Sequence, residues 1–189
     1  MTTIVTLLTQ GYADWETALL NAVARQYYEI DTLFATPGGR PVVSAGGLRV
    51  TPDLAIADID AGAVDALVLN GGTAWTAADA PELGDLPRAV RAAGGLVAAI
   101  CDGTLALARA GLLDQVRHTG NGPDALTATG YAGAALYQQA PAAVSDGRVV
   151  TAPGTAPVSF MAAVMAGLGR QDDNLAYYLG LHAAEHRAA

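Results

Sequence analysis

The residues best placed to do chemistry centre on one cysteine. Leu96-Val97-Ala98-Ala99-Ile100 runs directly into Cys101, and a segment of helical period follows with no loop residues between them. That is the layout of a nucleophile elbow, a sharp strand-to-helix turn that presents a reactive side chain above the sheet. The turn needs small residues around its centre, and Ala99 and Gly103 stand two before and two after the cysteine. A thiol at a helix N-terminus sits among unpaired N–H groups that favour thiolate, so a lowered pKa is expected at Cys101. The Asp102 N–H could donate to an oxyanion, joined by an N–H from the Gly71-Gly72 loop. The competing reading is a lone buried cysteine acting as a small hydrophobe. Glu16 is the second candidate, a carboxyl that could exchange protons with the thiol if burial raises its pKa. Read from its position alone, it is better explained as an ordinary first-turn glutamate complementing a helix dipole.

The elements that must position these residues follow from the pattern. Strands are expected at Thr3–Leu8, Ile30–Ala35, Val64–Leu69, Leu96–Ile100 and Val149–Ala152, several of them continuously apolar as in strands covered on both faces. Helices are expected at Asp14–Tyr28, Pro81–Ala93, Asp102–Ala110, Ala156–Leu168 and Asp172–Arg187. In the first, Trp15, Leu19, Val23 and Tyr27 form a stripe at four-residue spacing, read as buried, with Asp14 as N-cap. Val42–Ser44 and Leu48–Val50 flank Ala45-Gly46-Gly47, a hairpin signal. Alternating strands and helices imply an α/β fold with a mostly parallel sheet. Sites in such sheets form at the carboxyl ends of the strands. The loops after Leu8, Leu69, Ile100 and Ala152 are therefore the ones to inspect.

Composition narrows the function classes. The chain has 189 residues, one domain by length, with 52% hydrophobic content and a formal charge of −8. Acidic residues outnumber basic ones 18 to 10, which argues against nucleic acid or an anionic membrane as partner. All basic residues are arginine, so Schiff-base and Walker-type lysine chemistry is excluded. A single cysteine forbids an internal disulfide, and no apolar run reaches the ~18 residues of a membrane span. The start, Met1-Thr2-Thr3, lacks the basic segment of a signal peptide, so a cytoplasmic protein is expected. Ser44, Ser145 and Ser159 lie in no G-x-S-x-G, and no strand is followed by G-x-G-x-x-G, so neither a serine hydrolase nor a dinucleotide cofactor is indicated. His182-Ala183-Ala184-Glu185-His186 matches the inverted zinc-peptidase motif, but no third protein ligand follows; no metal is expected.

Taken together, Ala98-Ala99-Ile100-Cys101-Asp102-Gly103, Asn70-Gly71-Gly72, Tyr12 to Glu16 and Thr151-Ala152-Pro153-Gly154-Thr155 resemble the ThiJ/PfpI superfamily in type and order, over nearly the whole chain. That resemblance implies a flavodoxin-like three-layer sandwich related to class I glutamine amidotransferases. It implies Cys101 as nucleophile, Glu16 as its carboxylic partner, and Gly72 and Asp102 as oxyanion donors. A homodimer, a small-molecule substrate and no cofactor are further implications.

Two departures matter. PfpI-type proteases place a histidine after the cysteine, where this chain has Asp102, and the amidotransferase His-x-Glu pair is missing from Gly154–Phe160. Deglycase-type relatives bring a histidine to the cysteine from a region that here contains His118, offset by about a residue. An imidazole there could shuttle protons; the alternative is a loop histidine with a local hydrogen bond. Gly71, Trp75 and Asn121 are further pocket-lining candidates. The expectation is a cysteine-dependent enzyme acting on a small carbonyl electrophile, glyoxalase- or deglycase-like. The alternatives are an oxidation-sensing stress protein, an intracellular cysteine peptidase or amidase, and a binding module with an unreactive Cys101. Structurally, Cys101 should have φ > 0, and Glu16, Cys101 and His118 should converge at the carboxyl edge of the sheet.

Overall fold

A computed structural model describes residues 1–187, with the backbone alone for Glu185–Arg187. The strands are β1 (Thr3–Leu7), β2 (Asp31–Thr36), β3 (Val42–Val43), β4 (Arg49–Val50), β5 (Leu54–Ala55), β6 (Ala66–Leu69), β7 (Leu96–Ile100), β8 (Val144–Asp146) and β9 (Val149–Ala152). The helices are α1 (Asp14–Tyr28), α2 (Leu86–Ala92), α3 (Gly103–Arg109), α4 (Pro123–Thr127), α5 (Pro157–Gly167) and α6 (Asp173–Arg187). Seven strands form one sheet in the order β5-β2-β1-β6-β7-β9-β8, and β3 and β4 form a separate antiparallel hairpin. Every pairing in the large sheet is parallel except β8 with β9. This is the flavodoxin-like α/β sandwich, with helices on both faces.

The period of two along each strand sorts the core into two layers. Leu67 and Leu69 of β6 and Val97 and Ala99 of β7 face the side packed by Leu105 and Leu107 of α3. Ala66, Val68, Leu96, Ala98 and Ile100 face the other side, against Leu20 and Val23 of α1 and Phe160 and Val164 of α5. Both faces of the central strands are thus dry, which explains their unbroken apolar runs. Each leucine buried this way contributes about 2 kcal/mol relative to exposure.

Several boundaries differ from the sequence reading. Helix α2 begins at Leu86 rather than Pro81, because Gly84 at φ 53 breaks the helical path before Pro87. Strand β8 and the edge strand β5 are too short and too polar in surroundings to announce themselves. In α1, Trp15 and Tyr27 are exposed; the buried face is Glu16, Thr17, Leu20, Asn21, Val23 and Ala24. Of the stripe, Val23 is buried and Leu19 packs against the core, while its two aromatic ends lie on an exposed flank. Asp14 does not cap α1: its N-cap is Ala13, and the Asp14 carboxylate accepts from the Gly46 N–H at 2.7 Å, tying α1 to the β3–β4 hairpin. No helix among the described residues is long and apolar enough to cross a membrane.

Candidate active site

The sheet's order reverses between β1 and β6, which run side by side while their connections leave in opposite directions. Loops that follow such strands diverge and leave a crevice. Here they are held by an isolated antiparallel bridge between Tyr12 and Gly72, with the Ala13 N–H donating to the Gly71 carbonyl at 3.1 Å. The ends of β6 and β7 are level, Leu69 opposite Ala99, and Ile100 pairs with Ala152 of β9. Four loops therefore open at one edge, carrying Glu16, Gly71-Gly72, Cys101 and Gly154.

Cys101 sits at the centre of a strained turn. Its φ is 59°, and the only other non-glycine residue of positive φ among those described is Glu29, at the end of α1. Such a conformation is costly for a side-chain-bearing residue. It is fixed by the Cys101 N–H donating to the Ala152 carbonyl at 2.9 Å, and by the Thr104 N–H and hydroxyl donating to the Cys101 carbonyl at 3.1 and 2.7 Å. The elbow predicted from spacing is present, and the thiol is half-buried at its apex.

Glu16 reaches the same point from the first turn of α1. It is fully buried, and its Oε2 accepts from the Gly71 N–H at 2.7 Å. Among the described residues Oε1 accepts from no N–H or O–H group. A methyl group placed on Gly154 would lie 2.9 Å from Oε1 and 3.0 Å from the Cys101 sulfur, so carboxyl and thiol line the same small space. A methyl on Gly71 would collide with the Cys101 Cβ and Glu16 Oε2. Absence of a side chain at both glycines is what lets the acid and the thiol meet.

Burial pushes the Glu16 carboxyl up to about 7, against the opposing pull of its hydrogen bonds with the Cys101 thiol and the Gly71 N–H; the Asp102 charge adds to the rise. The thiol is pushed up to about 12, also chiefly by burial. The Asn121 amide and the Asp102 N–H pull it down, and the Glu16 charge and hydrogen bond raise it. This corrects the lowered thiol pKa expected from the sequence: α3 has only seven residues, and its dipole is outweighed by burial beside a carboxylate. At neutral pH the proton rests on sulfur, beside a carboxyl that burial has raised toward neutrality.

Of the other predicted site residues, Asn121 is more than a pocket wall. Its Nδ2 donates to the Cys101 sulfur at 3.0 Å and to Asp102 Oδ1 at 2.9 Å, while its Oδ1 accepts from the Gly154 N–H at 3.0 Å. The Gly154 N–H settles which end of the amide faces the sulfur. Gly154 also accepts at its carbonyl from Trp15 Nε1 at 3.1 Å, so Trp15 caps the rim; neither was singled out from sequence, where Gly154 appeared only within a loop. Gly72 and Asp102, the residues next to Gly71 and Cys101, are both partly exposed. The bridge that secures the Gly72 loop uses the Ala13 N–H and leaves that of Gly72 out of the pairing.

Two expectations fail. His118 is fully buried, with Nδ1 bonded to the Val116 carbonyl at 2.8 Å and Nε2 to the Tyr131 hydroxyl at 3.0 Å. Its ring stacks edge-on to Tyr131 and Tyr137, and both nitrogens are spent away from the thiol. It is a structural histidine, and the side chain that bonds the sulfur is that of Asn121. Trp75 is likewise core, fully buried with Nε1 donating to the Asn70 carbonyl at 2.7 Å behind the Gly71-Gly72 loop. In the zinc-like motif, His182 packs edge-on to Tyr178, and the Glu185 and His186 side chains lie outside the described residues.

An open parallel sheet with a cysteine elbow at its switch point and a buried carboxylic acid beside the sulfur defines the class of protein. A model of the DJ-1/PfpI family matches residues 2–167, and the chain belongs to that family. The DJ-1 superfamily protein Atu0886 from Agrobacterium tumefaciens superimposes with a TM-score of 0.95 at 45% identity, covering 98% of this chain and 100% of that one. The chain is 35% identical over 130 residues to the uncharacterized protease YoaZ of Bacillus subtilis, covering 67% of this chain and 61% of that protein. It is 33% identical over 131 residues to the glutathione-independent glyoxalase DJR-1.2 of Caenorhabditis elegans, covering 67% and 68% respectively. The match thus spans about three-fifths of YoaZ's length.

Proposed function

We propose that this protein is a cysteine-dependent enzyme that converts a small reactive carbonyl compound, with Cys101 as nucleophile and Glu16 as the proton carrier. The observation that carries this reading is the fully buried Glu16 carboxyl sharing one small space with the thiol, where burial pushes it up to about 7. A base of that strength is matched to proton transfer at neutral pH. For a 2-oxoaldehyde the chemistry runs as follows. Glu16 takes the thiol proton, the sulfur adds to the aldehyde carbon, and the resulting alkoxide is met by the N–H groups of Gly72 and Asp102. Glu16 then returns the proton to that oxygen. Glu16, ionised again, takes the proton from the former aldehyde carbon and delivers it to the neighbouring carbonyl carbon while the hydroxyl proton passes to the neighbouring oxygen; a thioester of a 2-hydroxy acid results, and water releases that acid and the free thiol. The name of the nematode relative supports glyoxalase-type turnover over deglycation. Peptidase activity is less supported, because among the described residues no histidine bonds the sulfur.

The test is consumption of methylglyoxal with lactate as product: wild type should turn over and Cys101→Ala should not. Loss of activity in neither protein, or in both, overturns the assignment.

Placement of His118 away from the sulfur favours a second reading, an oxidation sensor. A sulfinate at Cys101 would find N–H donors at Asn121 and Asp102 and a protonated Glu16. Intact mass after mild peroxide should then rise by two oxygen atoms in wild type and not in Cys101→Ala, with no methylglyoxal turnover by the reduced protein.

A further inference from the structure

We propose that Asp102 is a specificity-determining residue: its carboxylate, held beside the Cys101 sulfur by Asn121, reserves the nucleophile for uncharged electrophiles and turns away those that carry a carboxylate. The inference rests on the reading of Cys101 as a nucleophile toward small carbonyl compounds, and it divides that class into 2-oxoaldehydes, which are accepted, and 2-oxo acids, which are not.

The geometry begins with one nitrogen. Asn121 Nδ2 donates at once to the sulfur, at 3.0 Å, and to Asp102 Oδ1, at 2.9 Å. Sulfur and carboxylate oxygen are therefore near neighbours, joined through a single amide. The amide cannot rotate to present its oxygen instead, because that oxygen already accepts from the Gly154 N–H. Asp102 is only partly buried, whereas Glu16 is fully buried. An incoming electrophile thus meets the Asp102 charge before it meets Glu16.

Among the described residues no cation is paired with that charge. The charge that acts on Glu16 is that of Asp102, and the charge that acts on the thiol is that of Glu16, with no arginine contributing to either. The arginines with assigned partners are committed elsewhere: Arg25 to Thr32, Arg88 to Asp85, Arg109 to the Trp75 carbonyl, Arg117 to Asp146 and Arg148 to the Gly167 carbonyl. His118 is bonded to Val116 and Tyr131. A site that received a 2-oxo acid would be expected to offer its carboxylate a cation or a cluster of N–H donors; here the partly exposed group next to the thiol is an acid. Two like charges about 5 Å apart in a partly solvated site repel by enough to lower reactivity about five- to twenty-fold.

Alkylation measures this directly and needs no turnover. Iodoacetamide and iodoacetate both lose iodide as the sulfur bonds their methylene carbon, but one is neutral and the other anionic. Thiol ionisation affects both rates equally and cancels in their ratio. Normalised to the ratio for N-acetylcysteinamide, wild type should prefer iodoacetamide by about five- to twenty-fold. Asp102→Asn, which keeps an oxygen to accept from Asn121, should bring the preference close to that of the free thiol. Asp102→Glu should keep it. In 1 M salt, where screening acts over about 3 Å, the wild-type preference should shrink, a readout that stands even if a variant folds poorly. An unchanged preference in Asp102→Asn, or none in wild type, overturns the proposal. Methylglyoxal and glyoxylate turnover run in parallel separates the two levels: if neither is consumed, the enzyme reading fails while the alkylation ratio still decides the role of Asp102.

Discussion

Replacing Glu16 by glutamine should make the protein more stable at alkaline pH and change it little at acid pH. The carboxyl is fully buried, with one oxygen on the Gly71 N–H and the other reached by no N–H or O–H donor. Its pKa moves from the ordinary 4.5 to about 7 on folding. Between those values the native state keeps a proton that the unfolded chain has lost, so stability falls as pH rises through the window and levels off above it. Each pKa unit corresponds to 1.36 kcal/mol, so the full penalty for the ionised, buried group is about 3 kcal/mol, of which about 2 to 3 falls between pH 5 and 8.5. Glutamine has nearly the same shape, keeps an acceptor for the Gly71 N–H, and brings an NH₂ in place of that second oxygen. Urea unfolding of wild type and Glu16→Gln, at steps from pH 5 to 8.5 under reducing conditions, isolates this group because all other titrations cancel in the difference. The difference curve should rise in favour of the variant by about 2 to 3 kcal/mol. Parallel curves would refute the reasoning, since Glu16 would then titrate alike in the folded and unfolded states.

Further expectations concern the groups around the sulfur. Asn121→Ala removes a neutral hydrogen bond to it, worth about 1 kcal/mol, so the thiol pKa should climb further and alkylation at pH 8 should slow about fivefold; an unchanged rate would sink the role of the amide. Tyr131→Phe leaves His118 Nε2 buried without its partner and should cost about 1–3 kcal/mol in urea unfolding, with no change in Cys101 alkylation. A parallel loss of alkylation would mean that the histidine does communicate with the sulfur. Gly71→Ala places a methyl against Cys101 Cβ and Glu16 Oε2 and should destabilise by about 1–3 kcal/mol while disturbing both pKa values; a neutral outcome would mean the loop can retreat.

Much of this site was legible before the structure, for identifiable reasons. The elbow could be read because strain leaves a compositional trace: a buried apolar strand, then small residues on either side of Cys101. Glu16 could be read because an acid early in the first helix of a parallel sheet is carried to the same edge as the other loops. His118 misled because sequence distance from the elbow says nothing about which way an imidazole turns, and here Tyr131, thirteen residues later, supplied the partner. Trp15 and Tyr27 misled because aromatic residues keep the helical period even on an exposed flank. The Asn121–Gly154–Trp15 chain was invisible because its links are made by backbone groups across 33 and 139 residues of separation, for which residue type gives no signal.

The central claim is that one proton passes between Cys101 and Glu16 during attack on a carbonyl. Its most direct test is the pH dependence of kcat/KM for methylglyoxal, measured for wild type and Glu16→Gln. The account predicts a wild-type rate that rises with a midpoint near 7, as Glu16 becomes able to accept the thiol proton, and a variant that lacks this limb and is slower throughout. A limb that survives in Glu16→Gln with the same midpoint would contradict it, because the titrating base would then be some other group.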